Sequence, residues 1–327
     1  MKLTTKSKLG ITLAGVLALI VTTASAGIII DYVPVGNAGN AADTSTGFGS
    51  VGYNYNIGMY EVTLFQYTEF LNAVAASDPN SLYNASMGTD LNIAGISRSG
   101  VSGGYTYAVV GDGNRPVTYV SMLDAMRMAN WVNNGQGGAG TTETGAYTLS
   151  LGGLAPRNGG ASVVVASEDE WYKAAYYDPT KGGSNYWQYA TRSDSAPGNV
   201  VGAGANQANY DNGVFSVTQS GSYSRTQDYL TAGVSYSGSG SYYGTYDQNG
   251  NVHEWNDTVI GSNRGLRGGS WAGPNGLESS LRNDYDPSTE FFDLGFRLAS
   301  IPEPGTALFG VALCVVSVWR RRRGPAH

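Results

Sequence analysis

The sequence predicts an α+β fold in which short helices and short strands are joined by long irregular loops. Glycine supplies 47 of the 327 residues and tyrosine 23, while charged residues make up only 13% of the chain, well below the usual quarter. Three segments combine helical spacing with a capping box, and several short segments alternate apolar and polar residues as strands do. Tracts rich in Gly, Ser and Tyr, such as residues 236–243, are predicted to be exposed loops.

The first strand and the first helix are predicted to follow one another directly. Residues 51–59 alternate apolar side chains with small or polar ones, which is the period of a strand with one buried face. Thr63 and Gln66 then form a capping box, and apolar residues recur at helical spacing from Leu64 to Ala75.

Two further helices are predicted farther along the chain. One runs from Ser121 to Gly135 and the other from Ser167 to Pro179, and in both an acidic residue lies three positions after the serine. Further short strands are predicted at 117–120, 163–165 and 294–298.

The N-terminus has the pattern of a secretory signal peptide over residues 1–26. Three lysines precede an apolar run over residues 9–21, and Ala24-Ser25-Ala26 supplies the small residues of a cleavage site after Ala26. This pattern predicts that the rest of the chain is exported.

The C-terminal residues 301–327 combine three features in order. Pro302-Glu303-Pro304 is followed by an apolar stretch over 305–319 and by four arginines at 320–323. The order resembles the PEP-CTERM sorting signal of Gram-negative bacteria. The resemblance implies a short transmembrane helix with its arginines in the cytoplasm, and cleavage by a membrane sorting protease. The protein would be held briefly in the inner membrane and then released to the cell surface or extracellular matrix of an exopolysaccharide-producing cell.

The charge of the remaining body, residues 27–300, limits its partners. It carries 12 Lys and Arg against 24 Asp and Glu, a formal charge of −12, which argues against nucleic acid and anionic membranes as partners and is compatible with bound cations. The only cysteine, Cys314, lies in the tail, so no disulfide is expected in the body.

Six segments of the body carry a family resemblance. They are "YNIGMYEVTLFQYTEFLNAV", "PVTYVSMLDAMRMANWV", "ASEDEWYKAAYY", "YDQNGNVHEWND", "GLRGGSW" and "LGFRLAS". In this order they resemble the formylglycine-generating enzymes, also called the sulfatase-modifying factor family, from about residue 51 to residue 300. The resemblance implies one domain with a loop-rich variant of the C-type lectin-like fold.

The catalytic cysteines of that family have no counterpart here. The resemblance implies a copper site made by two thiolates in the loop after the Gly-Gly-Ser-aromatic motif, and soft sulfur ligands are what select Cu(I). These two positions fall at Gly273 and Glu278, so no copper is expected. A histidine-based iron site, as in the related sulfoxide synthases, is also not expected because His253 is the only histidine of the body. A Ser270–His253 couple has no evident third group.

The calcium chemistry of the family is better preserved. The resemblance places Asp247, Gly250, Val252 and Glu254 in a calcium site, with two carboxylates and two backbone carbonyls as the hard oxygen ligands that Ca²⁺ takes. An EF-hand is excluded because its glutamate is the twelfth loop residue, whereas Glu254 is the eighth. The resemblance implies a second calcium site at Asn209, Tyr210, Asp228 and Leu230.

Two functions are compatible with these residues. The first is a non-catalytic, calcium-braced surface or matrix protein whose Tyr-rich loops bind a polysaccharide or a protein. The second is an enzyme, either a divergent formylglycine-generating oxidase-like enzyme that acts on protein cysteine or an unknown chemistry in the same cleft with Glu278, Arg282 or Asp284 as acid and base. Trp271, Arg267 and Arg282 are expected to line the cleft in either case.

Overall fold

A computed structural model of the chain describes residues 27–93 and 95–301. Short elements are spread over this range, as the sequence predicts. The strands are β1 (Tyr32–Val35), β2 (Tyr55–Gly58), β3 (Ile96–Ser99), β4 (Thr106–Val109), β5 (Val163–Val165), β6 (His253–Ile260), β7 (Asn263–Arg267), β8 (Asn283–Tyr285), β9 (Leu294–Phe296) and β10 (Leu298–Ser300). The helices are α1 (Leu64–Val74), α2 (Ser86–Thr89), α3 (Met122–Asn133) and α4 (Glu168–Tyr176), with 3-10 turns at Ala139–Thr141 and Leu149–Leu151.

One sheet joins the two ends of the described chain. Its strand order is β1-β2-β10-β5, and all neighbours are antiparallel. Ile57 of β2 lies opposite Val33 on one side and Ala299 on the other. The last strand is therefore held between two strands from the first two thirds of the chain.

A second sheet, of order β8-β7-β6-β9, carries the residues of greatest interest. β6 and β7 form a hairpin with a register shift between Trp255 and Val259, and β9 pairs with β6 in parallel. Arg297 lies between β9 and β10 and so connects the two sheets. β3 and β4 form a separate hairpin.

The three predicted capping boxes are all present. The Thr63 hydroxyl accepts from the Gln66 backbone N–H while the Gln66 side chain accepts from the Thr63 N–H, and Ser121 with Asp124 and Ser167 with Glu170 do the same. The helices pack their apolar faces into one large core that also contains β2 and β5.

The strand predictions are correct in part. β5 matches its predicted range, but β2 covers only the last half of residues 51–59. No strand forms at 117–120, because Tyr119 adopts a φ of 56°, which is incompatible with an extended chain. The predicted strand 294–298 is divided at Arg297 into β9 and β10, although its apolar side chains are buried as expected.

Residues 177–252 contain no helix or strand and are held mainly by side-chain hydrogen bonds. Asn251 Oδ1 accepts from the Thr231 N–H at 3.1 Å and from Asn209 Nδ2 at 3.0 Å, and Asn249 Nδ2 donates to the Leu277 carbonyl at 2.6 Å. The tract 236–243 is not simply exposed, since Tyr236 is only 1% exposed. Buried asparagines thus replace a sheet ladder in satisfying the backbone.

Within the described residues, no helix is long and apolar enough to span a membrane. The predicted signal peptide and the Pro-Glu-Pro motif with its apolar tail lie outside them.

Candidate functional site

The loop that follows β7 begins with two glycines in the left-handed region. Gly268 has φ +101° and Gly269 φ +75°, and a Cβ on Gly269 would lie 2.9 Å from the Asn275 carbonyl oxygen. No other residue fits there without displacing the loop. The loop is further held by the Trp271 N–H, which donates to the Asn251 carbonyl at 3.0 Å.

Gly273 and Glu278, where the resemblance places two catalytic thiols, hold no sulfur. Gly273 is half-buried, and a side chain at this position would enter open space, since a Cβ there would have no atom within 4 Å. Glu278 accepts a hydrogen bond from the Tyr189 hydroxyl at 3.3 Å. These residues offer no soft ligand to a copper ion.

Arg267 and Arg282 share one partner, the carboxylate of Glu168. Arg267 donates to Glu168 Oε1 at 2.9 Å and Arg282 donates to Glu168 Oε2 at 2.6 Å. Both guanidinium groups lie over the Phe48 ring. The structure therefore places the two arginines around the buried Glu168, with Arg267 buried and Arg282 partly exposed, rather than in the surroundings of Trp271.

Trp271 instead lies in a stack of aromatic rings. Its ring is parallel to that of Tyr229, with 4.9 Å between centroids and 7° between planes, and Tyr229 is in turn stacked on Tyr223 at 5.9 Å and 12°. Phe215 and Phe292 pack against the sides of Trp271. Offset stacks of this kind are stabilised beyond the burial of their area.

This stack borders the aromatic cavity, a cleft of about 710 Å³. It is lined by Thr89, Asp90, Leu91, Asn92, Phe215, Tyr223, Arg225, Thr226, Trp271, Ala272 and Phe292. The size is typical of clefts that bind small ligands, and the mixture of aromatic rings with a few polar groups is typical as well.

Tyr223 is the most accessible ring of the cavity and is nevertheless fixed. Its side chain is 54% exposed, yet its hydroxyl donates to Asn92 Oδ1 and its ring is stacked on Tyr229. Asn92 is fixed in turn, because its Nδ2 donates to the carbonyls of Ser224 and Gln227 at 2.8 and 2.7 Å. A ring held in this way loses little conformational entropy when a ligand stacks on it.

Ser270 and His253 do not form a nucleophile and base. The Ser270 hydroxyl donates to Asp293 Oδ2 at 2.9 Å, and His253 Nδ1 is buried without a partner among the described residues. Burial lowers the pKa of His253, and the charge of Asp293 opposes that shift. A serine that donates to a carboxylate is not activated by the imidazole.

Glu254 has a structural partner. Its two oxygens accept from Arg297 at 2.5 and 2.6 Å, and Oε2 also accepts from Trp171 Nε1 at 2.8 Å. Glu254 and Arg297 are both completely buried. The carboxylate therefore joins β6 to the segment between the two sheets.

Asp247 and Glu61 add two buried carboxyl groups to the pair formed by Glu254 and Arg297. Burial raises the pKa of Asp247 to about 8, with Arg297 lowering it and Glu254 raising it, and burial also raises the pKa of Glu61. Asp247 Oδ2 is buried and has no partner among the described residues. Three buried carboxylates around one arginine, one of them with an orphaned oxygen, fit a cation held by Asp247.

The rest of the first calcium set fits less completely. Among residues 27–93 and 95–301, no three His, Cys, Asp or Glu side chains are grouped as a metal site would need. A cation at Asp247 would thus depend on carbonyl oxygens, for which Gly250 and Val252 are the candidates, while Glu254 is already bound by Arg297.

The second calcium set does not fit a metal ion. Asp228 is ion-paired with Arg115, and its Oδ1 accepts from the Leu230 N–H at 3.0 Å. The Tyr210 carbonyl accepts from Asn199 Nδ2 at 3.2 Å, and the Asn209 amide donates to the Tyr229 carbonyl at 2.9 Å. These groups join loops to each other through their own hydrogen bonds and ion pair, and we therefore place no calcium ion there.

Sequence reasoning missed most of the aromatic cavity. Tyr223 and Phe215 lie in a long loop, residues 211–227, whose position relative to the family motifs could not be assigned. The available signal was the presence of two aromatic residues in an otherwise polar loop. Glu61 was missed because it follows β2 without any motif of its own.

One family of known proteins has a sequence pattern that matches most of the chain. This family is described as "Sulfatase-modifying factor enzyme 1-like domain", and the match covers residues 42–301. No curated protein matches the chain.

Three solved structures are similar to the chain. "Crystal Structure of CarF" has 23% identity and a TM-score of 0.49, covering 84% of this chain and 99% of that one. "Treponema denticola variable protein 1" has 18% identity and a TM-score of 0.44, covering 85% and 98%. "Structure of PvdO from Pseudomonas aeruginosa" has 18% identity and a TM-score of 0.38, covering 84% and 92%. With the family pattern spanning nearly all of the described residues, the chain belongs to the family of sulfatase-modifying factor enzyme 1-like domains.

Proposed function

We propose that the protein is a non-catalytic binding module, exported to the cell surface or matrix, that takes its ligand in the aromatic cavity. The observation that carries the proposal is the fixed, exposed ring of Tyr223 at the end of the stack on Trp271. An exposed aromatic ring that is held by a hydrogen bond and by stacking is pre-organised for a flat apolar ligand face.

The lack of catalysis is argued from the residues at the family's reaction centre. Gly273 and Glu278 stand where two thiols are needed, and Arg282 is engaged by Glu168. Ser270, in the same loop, donates to the Asp293 carboxylate and not to the imidazole of His253. The oxidase alternative is supported by the family match and by no arrangement of residues at the site.

Calcium is proposed as a structural ion at Asp247. Its support is the orphaned buried Oδ2 and the excess of buried carboxylates in this region. A calcium ion there would brace the turn before β6 by taking the place of the proton that burial keeps on Asp247 near neutral pH. Asp247 and the carbonyls of Gly250 and Val252 would hold the ion. Glu254 would not bind it directly, because its carboxylate is paired with Arg297.

Binding is tested with the purified protein on an array of soluble oligosaccharides and peptides. The variant Tyr223→Ala is expected to lose at least tenfold in affinity for whatever the wild type binds, equivalent to about 1.4 kcal/mol. Tyr242→Ala is the matched control, because Tyr242 is 38% exposed and lies outside the cavity. Equal affinity of the wild type and Tyr223→Ala would refute the cavity as the binding site.

The same preparation tests the lack of catalysis. The protein is incubated with copper and a cysteine peptide derived from a sulfatase, and no aldehyde is expected above a control without protein. Copper-dependent formation of aldehyde would contradict the lack of catalysis and support the oxidase alternative.

A further inference from the structure

The lysines and arginines of the body are almost all engaged. Of the 12 within residues 27–301, two donate to backbone carbonyls, Lys173 to Asn37 and Arg264 to Gly153 and Ala155. Nine form ion pairs: Arg98, Arg115, Arg127, Arg157, Lys181, Arg192, Arg267, Arg282 and Arg297. In this part of the chain Arg225 is the one left without an ion pair, a hydrogen bond or a ring contact.

Arg225 is exposed and lines the aromatic cavity, two residues after Tyr223. In a body with twice as many acids as bases, a guanidinium without a partner at the rim of a cleft leaves five N–H donors free for a ligand. Arginine binds carboxylates through two parallel hydrogen bonds, which gives both strength and orientation.

The remaining polar groups of the cavity complement the arginine. Asp90 accepts from the Tyr119 hydroxyl at 2.8 Å and from the Asn92 N–H at 3.1 Å, and each of its oxygens keeps capacity for a further donor. A ligand with hydroxyl groups could donate to Asp90. Tyr223 and Phe292 offer apolar rings in the same cleft.

We propose that the aromatic cavity recognises a hexuronic acid residue of an acidic polysaccharide. The carboxylate pairs with Arg225, ring hydroxyls donate to Asp90, and the apolar face of the sugar ring packs on Tyr223. This inference rests on the proposed binding function and names the chemical class of its ligand.

The acidity of the protein does not prevent this contact. At physiological ionic strength the Debye length is about 8 Å, so most of the −12 charge of the body is screened at the cavity. A carboxylate in hydrogen-bond contact with Arg225 is within that distance and is screened much less. The preference for an acidic ligand should therefore weaken as salt is added, because its source is a single exposed cation.

The test compares glucuronic acid oligomers with the methyl esters of the same oligomers. The ester keeps the ring, its hydroxyls and its linkage and removes the charge. We expect the wild-type protein to bind the acid at least tenfold more tightly than the ester. Arg225→Gln should abolish the preference, while Arg192→Gln, which alters an exposed arginine outside the cavity, should keep it.

The outcomes separate this inference from the proposed function. Binding of acid and ester with equal affinity, lost in Tyr223→Ala, would overturn the acidic ligand and leave the binding module standing. An acid preference that survives Arg225→Gln would overturn the role of the arginine. Binding of a peptide from the array, with no binding of any saccharide, would likewise overturn the ligand class, and no binding of any member of the array or of the two oligomers would overturn both proposals.

Discussion

Glu254 and Asp247 were expected to act together on one calcium ion, and their contacts separate them. Glu254 is neutralised by Arg297 in a fully buried pair, whereas Asp247 has an orphaned oxygen. Removal of one partner of a buried pair costs about 3–5 kcal/mol, because the other charge is left unpaired. Loss of a ligand of a bound ion costs stability only when the ion is present.

Substitutions at these two residues should therefore differ in their calcium dependence. Glu254→Gln should lower the melting temperature strongly both with calcium and with a chelator, because Arg297 loses its partner in either condition. Asp247→Asn should melt like the wild type in chelator and should lose the stabilisation that calcium gives the wild type, about 2.7 kcal/mol at a hundredfold excess over Kd. Scanning calorimetry at equal ionic strength measures both, and a wild-type protein whose melting does not respond to calcium would remove the ion from Asp247.

The sequence alone was sufficient for those conclusions that depend only on which residue type stands at a position. That Gly273 and Glu278 provide no sulfur is visible without a structure, because neither residue type contains it. The grouping of Trp271 with Arg267 and Arg282 was wrong, because the arginines turn towards Glu168. The direction of a side chain depends on its packing in the folded protein, and a local sequence pattern does not predict it.

Helix α3 contains a carboxylate whose protonation should set part of the pH dependence of folding. Burial raises the pKa of Asp124 from 3.8 to about 7, against the opposing hydrogen bonds from Ser121. Between about pH 4 and 7 the folded protein then holds a proton that the unfolded chain has released. Stability contributed by this group is present below that range and is lost as the pH rises through it, by at most about 1.4 kcal/mol per pH unit.

Asp124→Asn tests this prediction, since asparagine keeps an acceptor for Ser121 and cannot titrate. Urea unfolding at pH 4.5 and at pH 7 should show that the wild type loses more stability between the two values than the variant. The comparison between wild type and variant cancels the other titrating groups. Parallel changes in the two proteins would show that Asp124 is ionised in the fold throughout this range.

Helices and strands that are set by residues close in sequence were predictable, and those that depend on contacts between distant segments were not. The capping boxes at Thr63, Ser121 and Ser167 depend on side chains three residues apart, and all three helices begin where expected. The failure at 117–120 came from Tyr119, whose positive φ is imposed by tertiary contacts, among them the hydrogen bond from its N–H to the Phe291 carbonyl. Alternation of apolar residues does not report such a contact.

At the scale of the whole molecule, both ends of the sequence predict the route of the protein. We expect a tag placed before Ile301 to be found outside the cell, on a species that has lost residues 1–26 and the tail after Pro302-Glu303-Pro304. A second tag after His327 should separate from the first and remain with the inner membrane, because four arginines hold that end in the cytoplasm. Recovery of both tags on one cytosolic polypeptide would contradict export and, with it, the surface role.

The isolation of Arg225 has a consequence for how the molecule tolerates mutation. Among the described residues Arg225 makes no ion pair, hydrogen bond or ring contact, and Leu91 is half-exposed. Substitutions at these two residues at the rim of the aromatic cavity should therefore change the free energy of unfolding by about 0.5 kcal/mol or less. Glu254 and Arg297 have no such freedom, since a change in either leaves a buried charge alone. Single substitutions at the rim can thus change the ligand specificity of the cavity without a large loss of folding stability. New binding specificities can therefore arise in this fold by one substitution at a time.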